Sequence, residues 1–355
     1  MGSSCCSTKS AVEVSPNKVR TLKRSNTGNS VADMAKMKRS QLFYSEGSES
    51  TFADVSSSRM GKMIKWRRGD LIGEGAYAKV YQGMNLDTGE LIAIKHLETT
   101  EDIKKIEKEY LNLKKEILLL KMLDHPNIVR YYQTDLSEDM DELDIILEYV
   151  SGGSLQKILQ KYGGLSEEII KHYGQQLLEG LAYLHENFVI HRDLKSANVL
   201  IASTGQVKLS DFGSSRQFEE LGTKVSKSLK GSPYWMAPEI VMREGHSYSA
   251  DIWSYGCLLI EIASGRPPWS DFTRDAKEVL RLISLSHSLP TIPKVSQSLQ
   301  DLILKCLNRD PQLRPSAREL LRHDFFRAIE DETVTSTIPV KSEQRSLQKE
   351  SLILD

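Results

Sequence analysis

The segment His191-Arg192-Asp193-Leu194-Lys195-Ser196-Ala197-Asn198 puts a carboxylate, an ammonium and a carboxamide within six residues of one another. Asp193 can accept the proton of an attacking hydroxyl, Lys195 can neutralise a phosphoryl group in transfer, and Asn198 can ligate magnesium. At loop distance downstream, Asp211-Phe212-Gly213 supplies a second carboxylate on a turn, able to bridge metal ions and phosphates. Phosphoryl transfer asks a protein for positioning and charge stabilisation more than for covalent chemistry. An Asp-Phe-Gly tripeptide alone arises by chance; the eight-residue run followed by it does not.

Two weaker signals fit the same chemistry. Ile72, Gly73, Glu74, Gly75, Ala76, Tyr77, Ala78, Lys79 and Val80 form a small-residue turn between apolar stretches, whose backbone can lie close over phosphates. Ala78 stands where a third glycine is usual, and no Gly-Lys-Ser/Thr follows, so the turn is not a Walker loop. Turns of this kind are also commonly structural. Lys95 follows Leu91-Ile92-Ala93-Ile94, where a strand facing a core does not take an unpaired cation. Glu116 is the available anion. Taken alone, Lys95 reads as snorkelling to the surface and Glu116 as a solvated helix residue; the two segments of the first paragraph favour the paired reading instead.

The elements that would position these groups are legible in outline. Alternation through Leu71-Ile72, Lys79-Val80-Tyr81 and Leu91-Ile92-Ala93-Ile94 predicts short strands, with a hairpin turn at Asp87-Thr88-Gly89-Glu90. Apolar residues three or four apart from Ile103 to Leu120 predict one long helix over 101–123, ended by His125-Pro126-Asn127. A strand pair is expected at Ile128–Gln133 and Leu143–Glu148, and beyond Gly152-Gly153 the pattern turns mostly helical. A strand-rich part with one helix thus precedes a larger helical part.

Together these segments resemble the eukaryotic protein kinase superfamily over residues 66–326. The resemblance implies an α+β, bilobal fold with a small β-rich N-terminal lobe, and ATP and Mg2+ as cofactors. It implies Asp193 as proton acceptor, Lys195 beside it, Lys95 with Glu116 as the ATP-positioning pair, and Asn198 with Asp211 as metal ligands. Val80, Ala93 and Leu200 would sandwich adenine, with Ile72 and the residues that follow it also binding the nucleotide. Glu148 and Val150 would offer backbone groups to the adenine edge, with Leu147 guarding the pocket behind them. Leu120, Phe212 and His191 would stack as an internal spine. Ala237-Pro238-Glu239 would pair Glu239 with Arg314, and Asp251 would brace the catalytic-loop backbone. Lys195 and Ser232 are serine/threonine-type choices. A catalytically dead scaffold would typically lack one of Lys95, Asp193 or Asp211, and all three are present.

Within the superfamily, Gly83 to Leu91, Leu147 to Leu155, Gly231 to Glu239 and Gly265-Arg266-Pro267-Pro268-Trp269 look most like MEKK-type MAP kinase kinase kinases. The implied partner is a MAP kinase kinase as protein substrate, with no nucleic acid. Sterile-twenty-like kinases, one step further upstream, share the Trp-Met-Ala-Pro-Glu stretch and are the alternative. Arg192 suits a phosphate from the activation segment, for which Thr223, Ser226 and Ser228 are candidate acceptors.

The flanks read differently. Residues 1–60 are Ser-rich and basic, with eight Lys or Arg against two acidic residues between 9 and 39, in a chain whose net charge is -1. This composition predicts a disordered segment, as does the polar stretch 330–355. Gly2 follows Met1, with Cys5 and Cys6 close by, so Gly2 is a candidate for myristoylation and the cysteines for a second acyl chain, although Cys6 stands where the pattern wants Ser or Thr. One chain holds weakly; a second, or the basic stretch, would complete an anchor on the cytosolic membrane face. Cys257 and Cys306 sit in apolar runs and are expected as small buried hydrophobes in a reducing, cytoplasmic setting. No stretch approaches the ~18 apolar residues of a spanning helix.

Overall fold

The computed structural model describes residues 63–75, 78–98, 116–136, 142–217, 232–285 and 288–327. The N-terminal lobe is an antiparallel five-stranded sheet in the order β1-β2-β3-β5-β4, formed by β1 (Trp66–Glu74), β2 (Lys79–Asn85), β3 (Leu91–Glu98), β4 (Tyr131–Leu136) and β5 (Glu142–Glu148). The β2–β3 turn closes where expected. Gly89 takes a φ of 76°, which a side chain rarely adopts, and the Asn85 side chain accepts the Asp87 amide at 2.9 Å.

Alternation along β3 divides the two faces. Ile92 and Ile94 pack with Ile146 beneath Trp66, Tyr81 and Tyr132. On the opposite face, Ile145 and Leu143 of β5 pack with Ile117 of helix α1, whose described residues are 116–122. This contact brings Glu116 to the side of the sheet that carries Lys95. Residues 101–115 of the expected long helix lie outside the described residues.

The expected first strand of the β4–β5 pair begins too early. Residues 127–129 are taken by the other lobe: Leu209 N–H donates to the Asn127 carbonyl at 2.8 Å, Val129 N–H to the Leu209 carbonyl at 3.0 Å, and Ile128 bridges Leu209. The β4 ladder therefore starts at Tyr131.

The C-terminal lobe contains α2 (Leu155–Tyr162), α3 (Glu167–Glu186), α4 (Pro238–Val241), α5 (Tyr248–Ser264), α6 (Ala276–Leu285), α7 (Gln297–Cys306) and α8 (Ala317–Leu320). The short strands β6 (Val189–Ile190) with β9 (Arg216–Gln217), and β7 (Val199–Ile201) with β8 (Val207–Leu209), form two small ribbons. Twelve of the seventeen residues of α5 are buried, so this helix is apolar nearly all round and runs through the core. Gly256 lets it approach α7, since a Cβ there would stand 2.7 Å from Cys306 Cβ. Cys257 and Cys306 are buried and unbonded, and burial pushes both thiols well above the usual range. Among the described residues no helix is long and apolar enough to cross a membrane.

Candidate active site

Burying a carboxylate on an apolar helix is costly unless hydrogen bonds satisfy it, and α5 carries two such groups near its ends. Asp251 accepts the backbone N–H of His191 and of Arg192, each at 2.9 Å, and faces His185 Nε2 at 3.0 Å. Glu261 accepts from Ser196 Oγ at 2.5 Å, from Ser196 N–H at 3.3 Å and from Trp235 Nε1 at 3.0 Å. The loop from His191 to Asn198 is thereby braced at both ends by one rigid element. Asp251 was expected in this role. Glu261 and Ser196 were missed, and the only sequence signal was a lone Glu in the run Leu258-Leu259-Ile260-Glu261-Ile262.

Between those braces the loop turns three polar groups toward one point. Lys195 Nζ donates to Asp193 Oδ2 at 2.8 Å and to Ser232 Oγ at 2.6 Å, and the Ser232 hydroxyl donates to Asp193 Oδ1 at 2.9 Å. Asn198 Nδ2 donates to the Asp193 carbonyl at 2.8 Å and to Asp193 Oδ2 at 3.0 Å. Of the two ends of the Asn198 carboxamide only the nitrogen can donate, so its oxygen is left facing the other way.

A second charged group is set against the first by the sheet. Lys95 lies opposite Val80 on β2 and Ile145 on β5. Its Nζ bonds Glu116 Oε1 at 2.6 Å and Asp211 Oδ1 at 3.5 Å. Burial works to lower the Lys95 pKa, but the charges of Glu116 and Asp211, with their hydrogen bonds, outweigh it and hold it above the usual value. For Asp211 burial works upward, and the charges of Lys95 and His191 with the Gly213 N–H bring it below the ordinary carboxylate range. Asp211 sits at φ 61°, a left-handed conformation that aspartate tolerates better than most residues. His191 Nε2 faces the Ser210 carbonyl at 3.2 Å, so that nitrogen carries the proton, and its ring lies 5.4 Å from that of Phe212. Phe212 and Leu120 belong to one core cluster.

The rest of the expected site is distributed around this centre. Gly73 and Glu74 end β1 and pair with Val80 and Lys79, and Gly75 N–H donates to the Ala78 carbonyl at 2.8 Å, closing the turn. Ile72 falls at an irregularity of β1. Ala93 pairs with Leu147, Val150 is buried, and Leu200 lies on β7. The Glu148 amide donates to the Arg130 carbonyl at 2.9 Å, leaving only its carbonyl for an edge contact. Its side chain pairs with Lys208 Nζ at 3.0 Å, and Lys208 also donates to the Pro126 carbonyl at 2.9 Å, a link between lobes that no motif announced. Glu239 and Arg314 form a bidentate pair at 2.6 and 2.8 Å. Ala76, Tyr77, Thr223, Ser226, Ser228, Gly2, Cys5 and Cys6 lie outside the described residues.

Among the described residues no three His, Cys, Asp or Glu side chains cluster as a metal cage. The donor set fits Mg2+ nonetheless, because that ion takes one or two protein oxygens and completes its shell with water and phosphate. One ionised carboxylate, Asp211, and one free amide oxygen, on Asn198, match that demand.

Asp193 is held by Lys195 and Ser232, Lys95 joins Glu116 to the Asp211 of the Asp-Phe-Gly turn, and the protein kinase domain family matches residues 66–326. The chain belongs to the protein kinase family. It is 46% identical over 280 residues to mitogen-activated protein kinase kinase kinase 2 of Arabidopsis thaliana, covering 78% of this chain and 42% of that protein. It is 48% identical over 267 residues to an Arabidopsis mitogen-activated protein kinase kinase kinase 3, covering 74% and 41%. It is 46% identical over 278 residues to mitogen-activated protein kinase kinase kinase A of Dictyostelium discoideum, covering 78% and 29%. The chain therefore spans less than half the length of these relatives. Kinase-domain membership brings ATP as the phosphoryl donor.

Proposed function

We propose that this kinase transfers the γ-phosphate of ATP to serine or threonine of a MAP kinase kinase. The observation that carries the reading is the triangle of Asp193, Lys195 and Ser232, whose mutual hydrogen bonds hold a carboxylate and an ammonium at one point of the cleft. The substrate class is supported by identities of 46 to 48% to proteins named as MAP kinase kinase kinases.

In this reading Asp193 accepts the proton of the incoming hydroxyl at its carboxylate. Lys195 holds that carboxylate and faces the group being transferred, while Lys95, steadied by Glu116, binds the ATP phosphates. Ile72 to Val80, with Ala93 and Leu200, enclose the nucleotide, and the Glu148 carbonyl and Val150 orient the adenine. Asn198 and Asp211 would hold Mg2+, which supplies charge neutralisation on the phosphates. Arg192 would receive a phosphate on Thr223, Ser226 or Ser228. Gly2, with Cys5 or Cys6 and the basic stretch after them, would carry a lipid anchor on the cytosolic membrane face; loss of membrane-fraction protein in Gly2→Ala would support the anchor, and unchanged partitioning would reject it.

The test is incubation of wild type and Asp193→Asn with ATP, Mg2+ and a panel of kinase-dead MAP kinase kinases. Asp193-dependent phosphoserine or phosphothreonine on one of them is expected. Transfer only to other proteins would overturn the substrate class, and no transfer to any protein would overturn the enzyme.

A further inference from the structure

At the front of the cleft the segment after β5 is pinned to the floor. Ser203 N–H donates to Ser151 Oγ at 3.2 Å, Ile201 N–H donates to the Gly153 carbonyl at 2.9 Å, and Ser154 bridges Leu200. Gly152 presses so closely on β7 that a Cβ there would stand 2.3 Å from the Ile201 carbonyl oxygen. Ser154 then caps α2, its Oγ accepting the Lys157 amide at 3.4 Å. Lys157 thus stands on a fixed base. Its Nζ reaches across the cleft to the roof and donates to the Ile72 carbonyl at 3.4 Å.

The acceptor is unusual for a strand residue. In β1, Leu71 pairs with Tyr81 and Gly73 with Val80, so Ile72 is the extra residue of a bulge and has no place in the β2 register. A bulge disrupts the ladder locally and re-aims the groups it carries. At this exposed position the Ile72 carbonyl takes the Lys157 ammonium, a contact that joins the floor beside Leu200 to the strand above at Ile72.

We propose that Lys157 is a positioning residue for the nucleotide: a clasp that fixes the height of the roof strand above the adenine floor. It rests on the nucleotide site proposed above and acts through Ile72, not through the phosphates. The two modes differ in a measurable way. A clasp on the roof over the base stabilises adenosine, ADP and ATP equally, whereas an ammonium against the phosphates favours them in rising order of charge.

The experiment displaces the fluorescent analogue mant-ADP with adenosine, ADP and ATP, in the full chain as wild type, Lys157→Ala, Lys157→Arg and Lys161→Ala. Steady-state kinetics in ATP are measured beside it. Lys157→Ala is expected to weaken all three ligands by one common factor, about threefold to tenfold, the range one net hydrogen bond carries. KM for ATP should rise with it while kcat moves less than about twofold, the signature of lost uniform binding. Lys157→Arg should restore affinity, and Lys161→Ala, one turn further along α2, should match wild type. A loss that grows from adenosine to ATP would overturn the clasp in favour of direct phosphate contact, and unaltered binding in Lys157→Ala would overturn it outright. Wild type that binds none of the three ligands would overturn the nucleotide site itself, a failure distinct from that of the clasp.

Discussion

The Asp251 carboxylate, 1% exposed, accepts the Arg192 amide at 2.9 Å while Arg192 holds a φ of 71°. A left-handed φ on a long side chain costs of order 1–3 kcal/mol and persists only where its surroundings over-determine it. Asp251 does so by taking the amides on both sides of the bend, those of His191 and Arg192, in one carboxylate. The geometry of Asp193, the next residue, depends on that hold.

Replacing Asp251 with alanine leaves two buried N–H groups unsatisfied and removes the partner of His185. A stability loss of about 3 kcal/mol or more is expected, from the penalties for stranding groups bonded to a charge. Asp251→Asn keeps one acceptor oxygen and should retain part of the stability. Denaturant unfolding of both variants, with kcat measured on the folded fraction, checks this; equal stability of wild type and Asp251→Ala would remove the brace.

The buried Glu261 makes a pH prediction. Burial raises its pKa from 4.5 to about 6, against the hydrogen bonds of Ser196 and Trp235, which lower it. The native state therefore binds a proton more tightly than the unfolded chain. That contribution is fully present below pH 4.5 and is lost as pH rises through about 6. A shift of this size corresponds to about 2 kcal/mol. The stability of wild type relative to Glu261→Gln should fall by that amount between those limits and stay level above them. Melting curves of the two proteins across the window measure it, and a flat difference would sink the assignment.

Arg314 and Glu239 are buried together, with side chains 0% and 5% exposed, and the Arg314 guanidinium lies 5.1 Å from the Trp253 ring centroid. Removing one partner of a buried pair leaves an uncompensated charge and costs about 3–5 kcal/mol. Arg314→Met alone should reach that range. The double variant Arg314→Met/Glu239→Leu should be less destabilised than the sum of the two single ones, with a coupling of about 1 kcal/mol or more. A double-mutant cycle from urea unfolding decides the matter; additive losses would show that the pair is not coupled.

For the activation segment, replacing Thr223, Ser226 and Ser228 together by alanine should lower activity if Arg192 is served by a phosphate on one of them. Phosphatase treatment of wild type should lower it comparably. Equal activity before and after treatment would count against this control.

The candidate-site motifs are legible because each is short and lies in contiguous residues. Asp193, Lys195 and Asn198 fall within one loop, and Asp211 within one tripeptide. The pairing of Lys95 with Glu116 was readable in a weaker sense: a cation in an apolar strand demands an anion, but the demand does not say which one. The residues that brace the site were harder to see. Glu261 is 65 positions from Ser196, and Lys208 is 82 from Pro126. Neither pair has a local pattern, because nothing in a helix or strand period records which distant backbone group a buried side chain will meet. The early start assigned to β4 has the same origin: Ile128 and Val129 are apolar as strand residues are, but the backbone groups they meet belong to β8.

By itself, then, the order of residues determined which functional groups the candidate site can offer: the carboxylates of Asp193 and Asp211, the ammonium groups of Lys95 and Lys195, and the carboxamide of Asn198. Tertiary structure decided how those groups are held. One apolar helix lends two buried carboxylates to the loop from His191 to Asn198, a sheet face and a helix press Lys95 onto Glu116, and a lysine on α2 meets the carbonyl of a bulged residue. The physical reason is that side-chain type is a local property, whereas the satisfaction of buried charges and backbone groups is settled only when the whole chain has closed around them.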